Sequence, residues 1–129
     1  MDFLQRLKEY TEQLSFTPSI IQIGTYRSDG NSVAIRPAPS NPDTKYFNKG
    51  MVYPFSFQIL VHHSDNLIAY QLIEDLRSAY ENLNSGAITS SDGSFSMILM
   101  ECTTTPNYVQ PTNYGNLYTA LLQAELLIN

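Results

Sequence analysis

His62 and His63 are the side chains in this sequence best suited to hold a metal or move a proton, and they are adjacent. On an extended strand neighbouring side chains point to opposite faces, so the pair cannot grip one ion together. No Cys or acidic residue lies at a ligand-like spacing beside them. The pattern predicts one histidine packed at a strand end and the other solvated, with no metal site. Cys102, the sole cysteine, would act as a nucleophile only beside a base, and nothing in the spacing brings a histidine to it. It reads as a buried free thiol on a core strand. A single cysteine forms no internal disulfide, which fits an intracellular origin. Gly24, Gly30 and Gly50 are too scattered to cradle a phosphate. Glu9, Glu12, Asp65, Glu74, Asp75 and Glu81 fall mostly on helix faces, where carboxylates are solvated rather than paired for acid–base work. No catalytic residue, no cofactor-binding residue and no cofactor is expected.

Composition points toward contact surfaces instead. The 129-residue chain has room for one core, a single domain spanning residues 1–129. Its apolar fraction of 43% is enough to build that core, yet only 15% of residues are charged, well under the usual quarter. Nine Tyr and seven Pro, with many neutral polar residues, stand in the place of Lys and Glu. Interfaces carry the same bias, depleted in lysine and acid and enriched in aromatics. An ordinary loop-rich domain accounts for the same numbers. The net charge is −5 and no Lys/Arg cluster exists, which argues against a protein that grips phosphate backbones. The segment Met1–Leu14 is amphipathic and charged throughout, unlike a signal peptide. No apolar run approaches the roughly 20 residues of a membrane span. A soluble protein is expected.

Periodicity places the elements. Asp2 can cap a helix with Phe3, Leu7, Tyr10 and Leu14 on one stripe, stopped by Pro18. Ile20–Tyr26 and Val33–Arg36 read as strands joined through Asp29-Gly30-Asn31 into a hairpin. Met51–His63 alternates strictly from Tyr53 to Val61, with Pro54 marking an edge or bulge at its start. Ser64-Asp65-Asn66 caps a long helix to about Leu83, with Ile68, Leu72, Leu76, Ala79 and Leu83 as its main stripe. Ala69, Ile73 and Tyr80 widen that stripe, and Gly86 can supply a left-handed cap. A strand follows over Phe95–Thr103 after the Asp92-Gly93 turn. Pro106–Asn116 reads as irregular, and Leu117–Ile128 alternates as a last strand, with a helix as the competing reading. Helix, strands, helix and strands in this order predict an α+β sandwich: a mainly antiparallel sheet of about five strands with two helices on one side.

Two segments without periodicity are rich in aromatics. Pro37–Gly50 leads out through Tyr46, Phe47, Lys49 and Met51, and the second holds Tyr108, Val109 and Tyr114. Either set can fold back on the core or contact a neighbouring subunit. These are the two candidate contact surfaces.

The run Phe55-Ser56-Phe57-Gln58-Ile59-Leu60-Val61, leading into a helix with Ala69, Tyr70, Ile73 and Leu76, resembles the tail-terminator, or tail-completion, proteins of long-tailed bacteriophages, often labelled phage minor capsid proteins. The likeness continues through Tyr80-Glu81-Asn82-Leu83, Pro106-Asn107-Tyr108-Val109, Gly115, Tyr118 and the terminal Leu122–Leu126 strand, in order along the whole chain. These motifs are structural, with no catalytic signature among them. The resemblance implies a non-enzymatic virion protein forming a hexameric ring. Such a ring caps the tail tube protein, ends tail growth and docks on the head–tail connector protein, while DNA passes through without specific binding. Three rivals remain: a connector (stopper or adaptor) of the same virion, a small-molecule or peptide-binding α+β module, and an enzyme.

Overall fold

The structure, a computed structural model, describes residues 2–18, 20–38 and 51–129. The elements in chain order are α1 (Phe3–Glu12), β1 (Gln22–Ile23), β2 (Ser32–Pro37), β3 (Val52–His63), α2 (Asn66–Glu81), β4 (Phe95–Pro111) and β5 (Asn116–Ile128). The strands form one sheet in the order β1-β2-β3-β5-β4. All pairs are antiparallel except β1 with β2. Both helices pack on one face, α1 over β1 and β2 and α2 over β3, β5 and β4. This is the expected α+β architecture.

Strict alternation along β3 and β5 builds the core. Phe57, Ile59 and Val61 of β3 and Ala120, Leu122, Ala124 and Leu126 of β5 are buried against Phe3 and Leu7 of α1 and Ala69, Ile73, Leu76 and Tyr80 of α2. Phe3 sits among three rings, 4.9 Å from Phe55, 5.9 Å from Phe57 and 6.0 Å from Phe95. Burying each such side chain contributes about 1.5–3 kcal/mol. The helices are joined by one buried polar contact. The Thr11 hydroxyl donates to Leu7 O at 2.7 Å and so accepts from the Tyr80 phenol at 2.5 Å. Burial raises the pKa of that phenol above the usual tyrosine value.

Several local expectations are corrected. Residues 20–26 and 33–36 make no hairpin: β1 is two residues long and runs parallel to β2, Gln22 beside Ala34 and Ile23 beside Ile35. The turn at Asp29 and Gly30 is present, but Gly24, at φ 104°, reverses the chain once before it. Two reversals restore the original direction. α1 ends well before Pro18, because the Thr17 hydroxyl donates to the carbonyls of Thr11 at 2.7 Å and Leu14 at 2.9 Å. Asp2 occupies the N-cap position without a side-chain cap; its carboxylate accepts the Ser91 N–H and hydroxyl at 3.1 and 2.9 Å. Asp65 does cap α2, accepting from Leu67 and Ile68 N–H at 3.0 and 3.1 Å. The buried stripe of α2 is Ala69, Ile73, Leu76 and Tyr80, turned by about one residue from the one predicted, so Ile68 faces out. Asn82, rather than Gly86, closes that helix; Gly86 (φ 83°) makes a later turn and donates to Met97 O at 2.7 Å.

β4 continues to Pro111, through most of the segment expected to be irregular. As the outer strand it tolerates Pro106 and register shifts at 102/104, 104/107 and 108/110, which a central strand would not. Pro54 obeys the same logic. It pairs with Glu125 on β5, while β2 reaches along β3 only to Phe57, so this end of β3 has one strand partner among the described residues.

Candidate functional site

His62 is fully buried on the sheet face opposite the helices. Its Nδ1 lies 2.9 Å from the carbonyl oxygens of both Arg27 and Gly30, so Nδ1 is the donor. Nε2 lies 2.6 Å from the Thr112 hydroxyl, whose oxygen accepts the Gly115 N–H at 2.9 Å. Tyr26 and Tyr114 close over the ring at 5.0 and 5.5 Å. Both ring nitrogens are spent on tying the β1–β2 connection and the β4–β5 turn to β3. His63 is half-buried and accepts the Asp65 N–H through Nδ1 at 2.9 Å. His62 is packed as one of the pair was expected to be, whereas His63 is half-buried rather than solvated.

The same turn explains Gly115. A side chain there would run into the carbonyl of His63 and come within 2.6 Å of the Ser64 Cα. Glycine is needed for the close approach of two backbones rather than for a left-handed conformation.

Cys102 is half-buried, less enclosed than expected, and its Sγ lies 3.2 Å from Thr104 O. Burial first, then the Glu81 carboxylate, pushes its pKa up, so it stays a thiol. Among the described residues no group of three or more His, Cys, Asp or Glu could hold a metal ion.

The chemistry of the surface lies elsewhere. Tyr118 of β5 is almost enclosed between Tyr70 of α2 at 5.9 Å and Tyr108 of β4 at 5.3 Å, and its hydroxyl donates to Asn66 at 2.7 Å. Tyr70 and Tyr108 remain exposed, and Leu67, one turn before Tyr70, is 79% exposed. On the other flank of α2, Ile68 and Leu72 line a cleft of about 450 Å³ with Phe16 and Pro18 after α1; His63 and Asp75 add its polar lining. Ile20 and Ile23 are exposed along the β1 edge. The face opposite the helices carries a polar ladder instead. Arg36 Nε donates to Gln58 Oε1 at 2.7 Å, and Gln58 Nε2 donates to Thr119 Oγ1 at 2.7 Å.

Of the seven residues singled out in the sequence, Tyr46, Phe47 and Lys49 lie outside the described residues. Met51 is half-buried and its carbonyl accepts the Ile128 N–H at 2.9 Å, tying the start of β3 to the end of β5. Tyr108, Val109 and Tyr114 are all exposed, but they do not form one patch. Tyr108 lies on the helix side against Tyr118, and Tyr114 on the far side against His62. Leu67, Ile68, Tyr70, Phe16, Ile20 and Ile23 were not singled out. For Leu67, Ile68 and Tyr70 the signal was present in α2, where residues 67–73 are apolar but for Gln71, more than one buried stripe can absorb. Uncharged apolar surface rimmed by hydroxyls is suited to protein contact, because its desolvation costs little.

Compared with protein-family models, curated proteins and solved structures, the chain matches none.

Proposed function

We propose that this chain is a structural bacteriophage protein that caps the tail tube as a ring, ends tail growth and offers the surface on which head and tail join. One observation supports this reading above the others: the end of the molecule where α2 begins exposes Leu67, Ile68, Tyr70 and Tyr108 with no charge between Asn66 and Ile73. Surface of that kind is retained for contact with other protein. The resemblance of the sequence to tail terminators supplies the ring, the tail tube and the head–tail connector as partners. A net charge of −5 on each copy suits a ring that lets DNA pass without holding it. The protein belongs, on this reading, to the tail or neck of the virion and assembles in the host cytoplasm.

Electron microscopy of particles made without the protein tests the assignment. Tails of uncontrolled length support a terminator. Full heads without tails would make it a connector of the stopper or adaptor type. A second reading, a peptide- or small-molecule-binding module, draws on the cleft between α1 and α2, which has the size of a ligand site. A chain that stays monomeric at high concentration would favour that module.

A further inference from the structure

The cleft between α1 and α2 combines apolar walls with polar groups that the fold does not use up. Ile68, Gln71, Leu72 and Asp75 follow one another at i, i+3, i+4 and i+7 along α2 and make one wall. Phe16 and Pro18, after α1, make another, and Phe16 and Ile68 are 41% and 51% exposed. Asn31, from the β1–β2 connection, and His63, the last residue of β3, add polar groups.

Hydrogen bonds already made fix what each polar group has left to offer. His63 Nδ1 accepts the Asp65 N–H at 2.9 Å, so Nε2 carries the ring hydrogen and is a donor. Asn31 Oδ1 accepts the Ser64 N–H at 3.0 Å, which leaves its amide hydrogens. Gln71 Nε2 donates to Asp75 Oδ1 at 2.9 Å, which leaves Gln71 Oε1 and Asp75 Oδ2 as acceptors. Among the described residues Asp75 is the one acid lining the cleft, and no Lys or Arg lines it. Glu74 and Glu81 of the same helix share Arg77, whereas Asp75 has no ion pair among the described residues.

A half-buried carboxylate without a cation, beside exposed apolar walls, suits a cation on an apolar stem. An arginine side chain is built that way, since its methylenes lie along apolar surface while the head stays charged. Its planar fork meets a carboxylate and a neighbouring carbonyl together. The donors at His63 and Asn31 suit the main-chain carbonyls flanking such a residue. The net charge of −5 favours the approach of a basic segment.

We infer that the cleft holds an arginine side chain of an extended segment from a partner protein. Its stem lies on Phe16, Ile68 and Leu72, its guanidinium on Asp75 and Gln71 Oε1, and a flanking carbonyl on His63 Nε2. The inference names the ligand of the cleft on which the second reading draws, and it holds equally for a chain that forms a ring.

The test is a titration of the isotope-labelled full chain with the end-blocked peptide acetyl-Ala-Arg-Ala-amide, followed by nuclear magnetic resonance. Saturable shifts are expected at the amide signals of Gln71, Leu72 and Asp75. The same peptide with citrulline, the uncharged analogue of arginine, should bind at least about tenfold more weakly, as loss of a charged hydrogen bond does. Asp75→Asn should remove that preference, with circular dichroism to check that the variant is folded. If it is not, Ile68→Lys decides, since a cation on the exposed wall should also weaken binding of the arginine peptide at least about tenfold. No saturable shift, citrulline bound as tightly as arginine, or a preference that survives in the folded variant would each overturn the inference. So would n-propylguanidinium binding as tightly as the peptide, because the site would then take a small cation and not a polypeptide. Self-association plays no part in the readout, so this result and the oligomeric test of the proposed function fall separately.

Discussion

The two halves of α2 do different work. From Glu74 onward the helix is laced with charge: Arg77 bridges Glu74 at 2.8 Å and Glu81 at 2.5 Å, and a Glu81 oxygen accepts the Cys102 N–H at 3.3 Å. Leu76 and Tyr80 in that half are fully buried. Before Glu74 the helix is uncharged, and Leu67 and Ile68 face solvent although both are strongly apolar. One half is written for folding, with a narrow buried stripe and a solvated back. The other keeps its stripe, Ala69 and Ile73, and adds apolar surface that the fold does not use. That excess is what points to a partner.

Substitutions can break this contrast. Leu76→Ala in the folding half should cost about 2–5 kcal/mol by chemical denaturation, as truncations at filled core sites do. A cost below 1 kcal/mol would mean that this half is not the anchor. Thr11→Val, which leaves the Tyr80 phenol buried without an acceptor, should cost about 1–3 kcal/mol, and Tyr80→Phe less. Lowering the pH sharpens the picture at α1. The Ser91 backbone N–H holds the Asp2 carboxyl below its usual range, and the Lys8 ammonium followed by the Ile21 N–H does so for Glu12. Each is a stronger acid in the folded chain than in the unfolded one, so its contribution is complete above the unfolded values, near pH 4. That contribution is lost as pH falls through the folded values. Thermal melts should decline below about pH 4, and less steeply in Asp2→Asn. The smallest effect belongs to the other half of α2: Leu67→Ser should change stability by no more than about 0.5 kcal/mol while weakening self-association.

Much of this was legible in the residues. Alternation in β3 and β5 and the four-three spacing in α1 fixed the core, because a buried face leaves its period in the sequence. The parallel β1 was not legible, since it hangs on a second reversal at Gly24 that the stronger signal at Asp29-Gly30 overshadowed. Nor was the outer half of β4, where Pro106 and Pro111 look like breakers unless the strand is known to be an edge. In the candidate site, Tyr108, Val109 and Tyr114 were recognisable as surface aromatics. Their separation onto two faces depends on the hairpin register, which only the fold supplies.

The central claim is that surface left over from folding joins copies of this chain. The direct measurement is the mass of the wild-type protein across a wide concentration range by analytical ultracentrifugation, beside Leu67→Ser with Tyr70→Ser. The account predicts wild-type species that are multiples of 14.6 kDa and a double variant that stays folded and monomeric. A wild-type chain that remains a monomer throughout would contradict it.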